Sequence, residues 1–312
     1  MNKIIYALAF GLWYVLSLLP LRVLYVLADV LYVLVAYVAR YRHEVIAKNL
    51  RYSFPEKTDR ERRRIELHFY RWFCDYLVES VKLMTMSKRQ LMRRMTFSNT
   101  EILNEAVARG QSVTVYLGHY GNWEWITSLP FWITPGAQCC QLYHPLENSA
   151  FDRLFRYVRE RQQALCIPME DSIREIIRFR RKGRPVVVGF ISDQVPMWQN
   201  IHHWTTFLNQ ETPVLTGAER SARKMNQAVV YGDVYRVKRG YYRCDFRLMA
   251  SEPQKTAEWE LTDQYFHLLE QTIRRDPSCY LWSHNRWKRT RDEFNRRFRV
   301  VDGKVVKREG EE

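Results

Sequence analysis

The chain has 312 residues, 46% of them hydrophobic and 14% aromatic, which supplies a large core and excludes wholesale disorder. Its formal net charge of +15 and pI near 9.6 demand an anionic partner, whether nucleic acid, acidic lipid headgroups or an acidic carrier protein. Six cysteines without a C-x-x-C or any paired spacing argue against a disulfide framework and indicate reduced thiols in a cytosol-facing domain.

Residues 4–39 form the least polar stretch, interrupted by charge only at Arg22 and Asp29. A spanning helix needs about 20 apolar residues, so this stretch holds either one span or a pair of helices meeting at Pro20 and embedded from one side. Nothing after it offers a small-residue cleavage site of the kind that ends a signal peptide. Arg40, Arg42, Lys48 and Arg51 follow at once, whereas Lys3 and the amino terminus precede, and that bias places the bulk of the chain in the cytoplasm. Arg22 and Asp29, seven apart, cannot reach each other and are expected to face protein or the membrane interface. A buried amphipathic core helix is the competing reading.

Past residue 40 the patterns alternate. Thr58 and Glu61 form a capping box for a helix whose apolar positions run from Ile65 through Phe69, Trp72 and Leu77 to Met84. Asn99 or Thr100 caps a second helix that stops at Arg109-Gly110. Buried strands are predicted at 112–117, 138–143, 164–168 and 185–191, with helices near 148–162 and 171–182 between them. Two paired strands after residue 225, a helix near 258–275 and a strand-like Cys279–Ser283 complete the pattern. Strand–helix alternation predicts an α/β fold, a mostly parallel or mixed central sheet flanked by helices, behind an N-terminal membrane-anchoring helix. The expected division is an anchor over 1–40, one catalytic domain over 41–300 and a charged tail over 301–312 that frays.

The sharpest signal is Gly118-His119-Tyr120-Gly121-Asn122-Trp123-Glu124, directly after a buried strand, where open α/β sheets bind ligands. Residues five apart on one helix point about 140° away from each other. His119 and Glu124 therefore meet only if His119 sits in a turn made by Gly118 and Gly121 while Glu124 sits on a helix capped by Asn122. A carboxylate so placed would fix the imidazole tautomer and stabilise the protonated ring, as a general base requires. With no Ser or Cys nucleophile beside the pair, the base is expected to deprotonate a substrate hydroxyl without a covalent enzyme intermediate. The helix amino terminus near Asn122, or a nearby arginine, would hold a developing oxyanion. An H-x4-E match alone is common, and a core histidine is its ordinary explanation; the strand–Gly–His–x–Gly–Asn context is what lifts it. Asp193 closes another buried strand at the same sheet edge, as a site residue or as a turn-forming aspartate. His202-His203 have no carboxylate at ligand spacing and H-E-x-x-H is missing, so no metal is expected.

Taken together, these segments resemble a known family. GHYGNWEW is similar to the H-x4-D/E motif of the lysophospholipid acyltransferase superfamily, specifically the bacterial lipid A biosynthesis (lauroyl/myristoyl) acyltransferases. Asn49-Leu50 with Phe54-Pro55-Glu56, Tyr143-His144-Pro145 with Asn148 and Asp152, the pair Arg159 and Arg161, Asp193-Gln194, and Trp282 to Lys288 follow in the family's order. The likeness spans nearly the whole chain. It implies transfer of a fatty acyl chain from acyl carrier protein, a donor substrate and not a cofactor, to a hydroxyl of a phosphorylated glycolipid, a lipid A precursor. The reaction would take place on the cytoplasmic face of the bacterial inner membrane. The resemblance implies His119 as base with Glu124 as its partner, and Arg159 as oxyanion or phosphate ligand. Asn122, Asp193, Gln194 and Arg161 are the further substrate-binding or oxyanion candidates. His144 departs from the family's usual arginine. Phe207–Pro213 matches a segment near the acyl pocket, with Thr212-Pro213 expected to open the next helix; Trp198, Trp204 and Phe207 are expected to line that pocket or simply to pack. One rival is a glycerolipid or glycolipid acyltransferase using acyl-CoA. The other, a membrane-tethered nucleic-acid-binding protein, predicts a basic stripe with stacking aromatics; the arginines are instead spread through helices, and no nucleic acid partner is expected.

Overall fold

The computed structural model describes residues 2–301 and 303–308, with side chains from residue 5 onward. Two apolar helices, α1 (Asn2–Leu18) and α2 (Leu21–Val33), meet at Pro20, which lacks an amide N–H and so starts a helix more readily than it continues one. A π-helical turn, Leu34–Val38, extends α2. After α3 (His43–Ser53) comes α4 (Asp59–Lys82), opened by the expected capping box: Thr58 Oγ1 accepts from the Glu61 N–H and Glu61 Oε2 from the Thr58 N–H. Its Phe69 and Trp72 are wholly buried.

The sheet domain then runs α5 (Lys88–Arg94), β1 (Met95–Ser98), α6 (Glu101–Ala108), β2 (Val113–Leu117), β3 (Gln138–Tyr143), α7 (Ser149–Glu160), β4 (Leu165–Pro168), α8 (Ser172–Arg181) and β5 (Val186–Ile191). A hairpin of β6 (His203–Phe207) and β7 (Gln210–Val214), helix α9 (Gly217–Met225), the long pair β8 (Ala228–Lys238) and β9 (Tyr241–Ala250), and α10 (Glu260–Arg275) follow. The last elements are α11 (Arg291–Arg297), β10 (Phe298–Val301) and β11 (Lys304–Lys307).

Seven strands form one sheet in the order β1-β9-β8-β2-β5-β3-β4, parallel throughout except for the antiparallel β8–β9 pair. This is the mostly parallel, helix-flanked sheet that strand–helix alternation predicted. Alternate residues face opposite layers: Val186 and Val188 pack with Ile176 and Phe179 of α8, while Val187 belongs to the main core. β2 and β5 are neighbours with Leu117 opposite Ile191, so the residues two beyond each, His119 and Asp193, leave the sheet side by side.

Three local expectations are corrected. Thr212-Pro213 does not open a helix: both lie in β7, and the hairpin turns through Leu208 and Asn209, which take φ of 51° and 62°. Cys279–Ser283 is not a strand but a staple on the His119 turn, with Tyr280 bridging Tyr120 and the Leu281 N–H donating to the His119 carbonyl at 3.1 Å. Part of the expected frayed tail pairs as the β10–β11 hairpin, while residues 309–312 lie outside the described residues. Trp198, Trp204 and Phe207 pack against Phe298, Phe294 and Phe266 respectively, away from the cavity described below.

Candidate active site

His119 stands on the turn after β2, with Gly121 at φ 63° and the turn stapled by the Gly121 N–H to the Cys279 carbonyl at 2.9 Å. Its ring is not held by Glu124. Nδ1 lies 2.7 Å from Asp193 Oδ1, and Asp193 Oδ2 accepts the His119 backbone N–H at 3.1 Å. Asp193 is buried, and burial alone would raise its pKa; the attraction of His119 and its two hydrogen bonds, with Arg286 beyond, outweigh that and hold it below the ordinary carboxylate value. An ionised Asp193 keeps the imidazole proton on Nδ1 and leaves the Nε2 lone pair facing outward. There the side-chain amide of Gln194 lies 3.2 Å away, and the Trp123 ring meets the imidazole edge-on at 5.2 Å between centroids.

Glu124 has another partner. Arg159, on α7, donates from Nε at 2.8 Å and from Nη2 at 2.6 Å in a two-pronged fork. The expectation that Glu124 orients His119 is therefore overturned by geometry. The helix that was to carry Glu124 toward the ring is a short 3-10 turn starting only at Trp125, and Arg159 takes both carboxylate oxygens. Burial opposes charge on Arg159, but Glu124 overrides it and raises the guanidinium pKa further. Tyr76, on the buried face of α4, reaches Glu124 at 3.5 Å; burial first and then Glu124 push its phenol well above the usual value.

Asn122 is fully buried and does not line the cavity. Its Oδ1 accepts the Trp125 N–H at 3.1 Å, closing the turn ahead of the 3-10 segment rather than capping a helix that carries Glu124, and its Nδ2 donates to Glu79 at 2.7 Å. Glu79 also accepts from the hydroxyls of Tyr25 and Tyr242, at 2.8 and 2.9 Å. Arg161, just past α7, is exposed against Tyr157 and stands apart from the site. Glu79 and Tyr76 are the residues that sequence reasoning missed; both sit at apolar-looking positions of α4, and nothing local marks them.

A cavity of about 500 Å³ opens beside these groups. One wall is the continuing face of the sheet: Val115 and Leu117 below His119, and Val187, Gly189 and Ile191 on β5. His119, Glu124, Arg159 and Gln194 are at its polar end, and His144 also lines it. At roughly 3.3 Å per residue, Val187 lies about 20 Å along the strand from Asp193. The arrangement is a base with an outward lone pair, a fixed guanidinium, and a long apolar slot beneath both.

Residues 1–289 match the family described as bacterial lipid A biosynthesis acyltransferase. The chain belongs to this family. It is similar to a lipid A biosynthesis acyltransferase of Haemophilus influenzae, 21% identical over 272 residues that cover 86% of this chain and 82% of the relative. The protein is thus an enzyme, an acyltransferase of lipid A synthesis, and the family implies a glycolipid acceptor. Among the described residues of this acyltransferase, one helical stretch, Leu21–Val38, is long and apolar enough to cross a membrane, a feature that weakly suggests membrane association.

Proposed function

We propose that this acyltransferase moves a fatty acyl chain from the thioester of acyl carrier protein to a hydroxyl of a phosphorylated lipid A precursor, at the cytoplasmic face of the inner membrane. The observation that carries the mechanism is the His119–Asp193 pair at the polar end of an apolar slot. The acyl chain lies in the slot with its thioester carbonyl beside His119. Nε2 takes the proton of the acceptor hydroxyl as that oxygen bonds to the carbonyl carbon, and Asp193 stabilises the imidazolium. The oxyanion faces Arg159, whose Nη1 takes no part in the fork to Glu124. When the tetrahedral intermediate collapses, the carbon–sulfur bond breaks and the imidazolium returns its proton to the departing thiolate. Gln194, now within reach of Nε2, yields that place to the acceptor hydroxyl. The basic surface of the chain suits both an acidic carrier protein and a phosphorylated lipid.

The test is transfer from labelled acyl carrier protein to a tetra-acylated lipid A precursor by the wild type, His119→Ala and Asp193→Asn. Wild-type transfer lost by orders of magnitude in both variants is the expected result. Transfer from acyl-CoA alone would overturn the donor assignment, and transfer surviving in His119→Ala would overturn the mechanism.

A further inference from the structure

The apolar stretch Leu21–Val38 passes the length and composition test for a spanning helix, yet its packing forbids that placement. α2 lies antiparallel along α4: Tyr25 bonds Glu79 near one end, and Arg71 sits 5.0 Å over the Tyr32 ring toward the other. Asp29, in the middle of the stretch, pairs at 2.8 Å with Arg239 from the β8–β9 turn, which also grips Asp75 of α4 at 2.6 Å. α4 carries eleven charged residues between Asp59 and Lys82. If α2 crossed the hydrocarbon, α4 and the Arg239 clasp would have to cross beside it, and a spanning segment tolerates few such charges.

α1 is held in the same way. Its inner stripe meets α7 and α4: Trp13 packs edge-on to Phe155 at 5.1 Å and donates to the Val81 carbonyl at 3.0 Å, and Phe10 meets Tyr157 at 5.5 Å. Its opposite stripe, Leu8, Leu12 and Val15, is exposed, as are Val26 and Val30 along α2 and Val38 in the π-helical turn that extends it. Such one-sided apolarity is the pattern of a helix lying in the interface plane.

The exposed apolar surface continues past α1 onto the rim of the cavity. Leu146 and Met169 both line the cavity and are 46% and 48% exposed, and Phe151 and Ile173, in the first turns of α7 and α8, are exposed beside them. Exposed arginines, Arg22 at the α1–α2 joint and Arg153 over Tyr6 at the α1–α7 seam, border this surface as anionic headgroups require.

We infer that α1, α2 and the cavity rim at Leu146, Phe151, Met169 and Ile173 form one continuous surface that embeds in a single leaflet of an anionic bilayer, with neither α1 nor α2 crossing it. The mouth of the acyl slot then opens at the headgroup level, where a lipid acceptor presents its hydroxyls. The inference rests on the membrane placement proposed above.

The experiment uses the full chain carrying one introduced cysteine, Leu12→Cys, Val30→Cys, Phe151→Cys or Ile173→Cys, labelled with an environment-sensitive fluorophore; the six native thiols are buried. Each is mixed with phosphatidylethanolamine–phosphatidylglycerol vesicles bearing a nitroxide at a shallow or a deep acyl position. The expected result is a blue shift at all four sites, with the shallow nitroxide quenching at least twofold more than the deep one. Deeper quenching at Val30 would show a spanning helix and sink the inference while leaving membrane placement intact. Labels at Phe151 and Ile173 that ignore vesicles but respond to acyl carrier protein would make the rim a protein-docking face and sink it as well. No response at any site would overturn membrane placement itself.

Discussion

Asp193 grips His119 twice, Oδ1 at the ring Nδ1 at 2.7 Å and Oδ2 at the backbone N–H at 3.1 Å. The double contact sets both the position of the turn and the tautomer of the ring. Asn at 193 retains one acceptor for the backbone but turns its amide N–H toward Nδ1, which forces the proton onto Nε2 and removes the outward lone pair. Asp193→Asn should therefore lower kcat by roughly 10²- to 10⁴-fold, the range a general base supplies, with KM and thermal unfolding little changed. Steady-state kinetics with the carrier-protein donor checks this; wild-type kcat in the folded variant would make the pair structural.

Glu124 acts, on this geometry, through Arg159. Removing one preorganised oxyanion donor commonly costs about 10²- to 10³-fold in kcat, which is the expectation for Arg159→Ala. Glu124→Gln leaves a guanidinium in place without its fork and should lose part of that factor. Because both changes act on one group, the double variant should be no slower than Arg159→Ala alone. Losses that multiply instead would return Glu124 to direct contact with the reacting atoms.

Glu79 provides a pH test that is independent of turnover. Three donors favour its charged form, yet complete burial dominates and lifts its pKa from 4.5 to about 7. A carboxyl whose folded pKa lies above its unfolded one binds its proton more tightly in the native state. Its stabilising contribution is fully present below pH 4.5 and is lost as pH rises toward 7. The span corresponds to about 3 kcal/mol. Glu79→Gln cannot titrate, so the stability of wild type relative to this variant should fall by about that much between pH 4.5 and 7. Denaturant unfolding in detergent at several pH values measures it, and parallel curves would refute the assignment.

Runs such as QCCQLY and PVVVGFI declare their strands, because apolar and β-branched residues bounded by turns leave few alternatives, and the capping box at Thr58 declares the start of α4. What such patterns do not contain is which strand lies beside which. The His119–Asp193 contact follows from Leu117 lying opposite Ile191, a register between segments 74 residues apart, so the site residues were visible in the sequence while their pairing was not. The H-x4-E spacing suggested a local partnership that the fold resolves into two non-local ones. Thr212-Pro213 misled for a related reason: proline favours a helix start, yet it is equally at home in a two-stranded edge hairpin, and Asn209 in the left-handed turn was the better signal.

Gly189 allows the acyl slot to be measured. It lies on β5 four residues before Asp193, about 13 Å along the strand, and lines the cavity. A Cβ added there would meet Leu117 Cδ1 at 3.5 Å and the Cys140 carbonyl at 3.8 Å, ordinary contacts that strain nothing. A branched side chain at 189 would project into the slot and occupy the space of the far carbons of a long chain, leaving the polar end untouched. Each methylene that can no longer be buried forfeits about 0.8 kcal/mol, or roughly fourfold in binding. Gly189→Val should therefore shift preference toward shorter acyl donors, lowering kcat/KM for chains that reach position 189 by tenfold or more while sparing those that stop short of it. Competition among acyl carrier proteins loaded with chains from eight to sixteen carbons, about the range such a slot spans, reads the shift directly. An unchanged length profile in a folded variant would mean that the chain lies elsewhere, and the slot would lose its role as the acyl site.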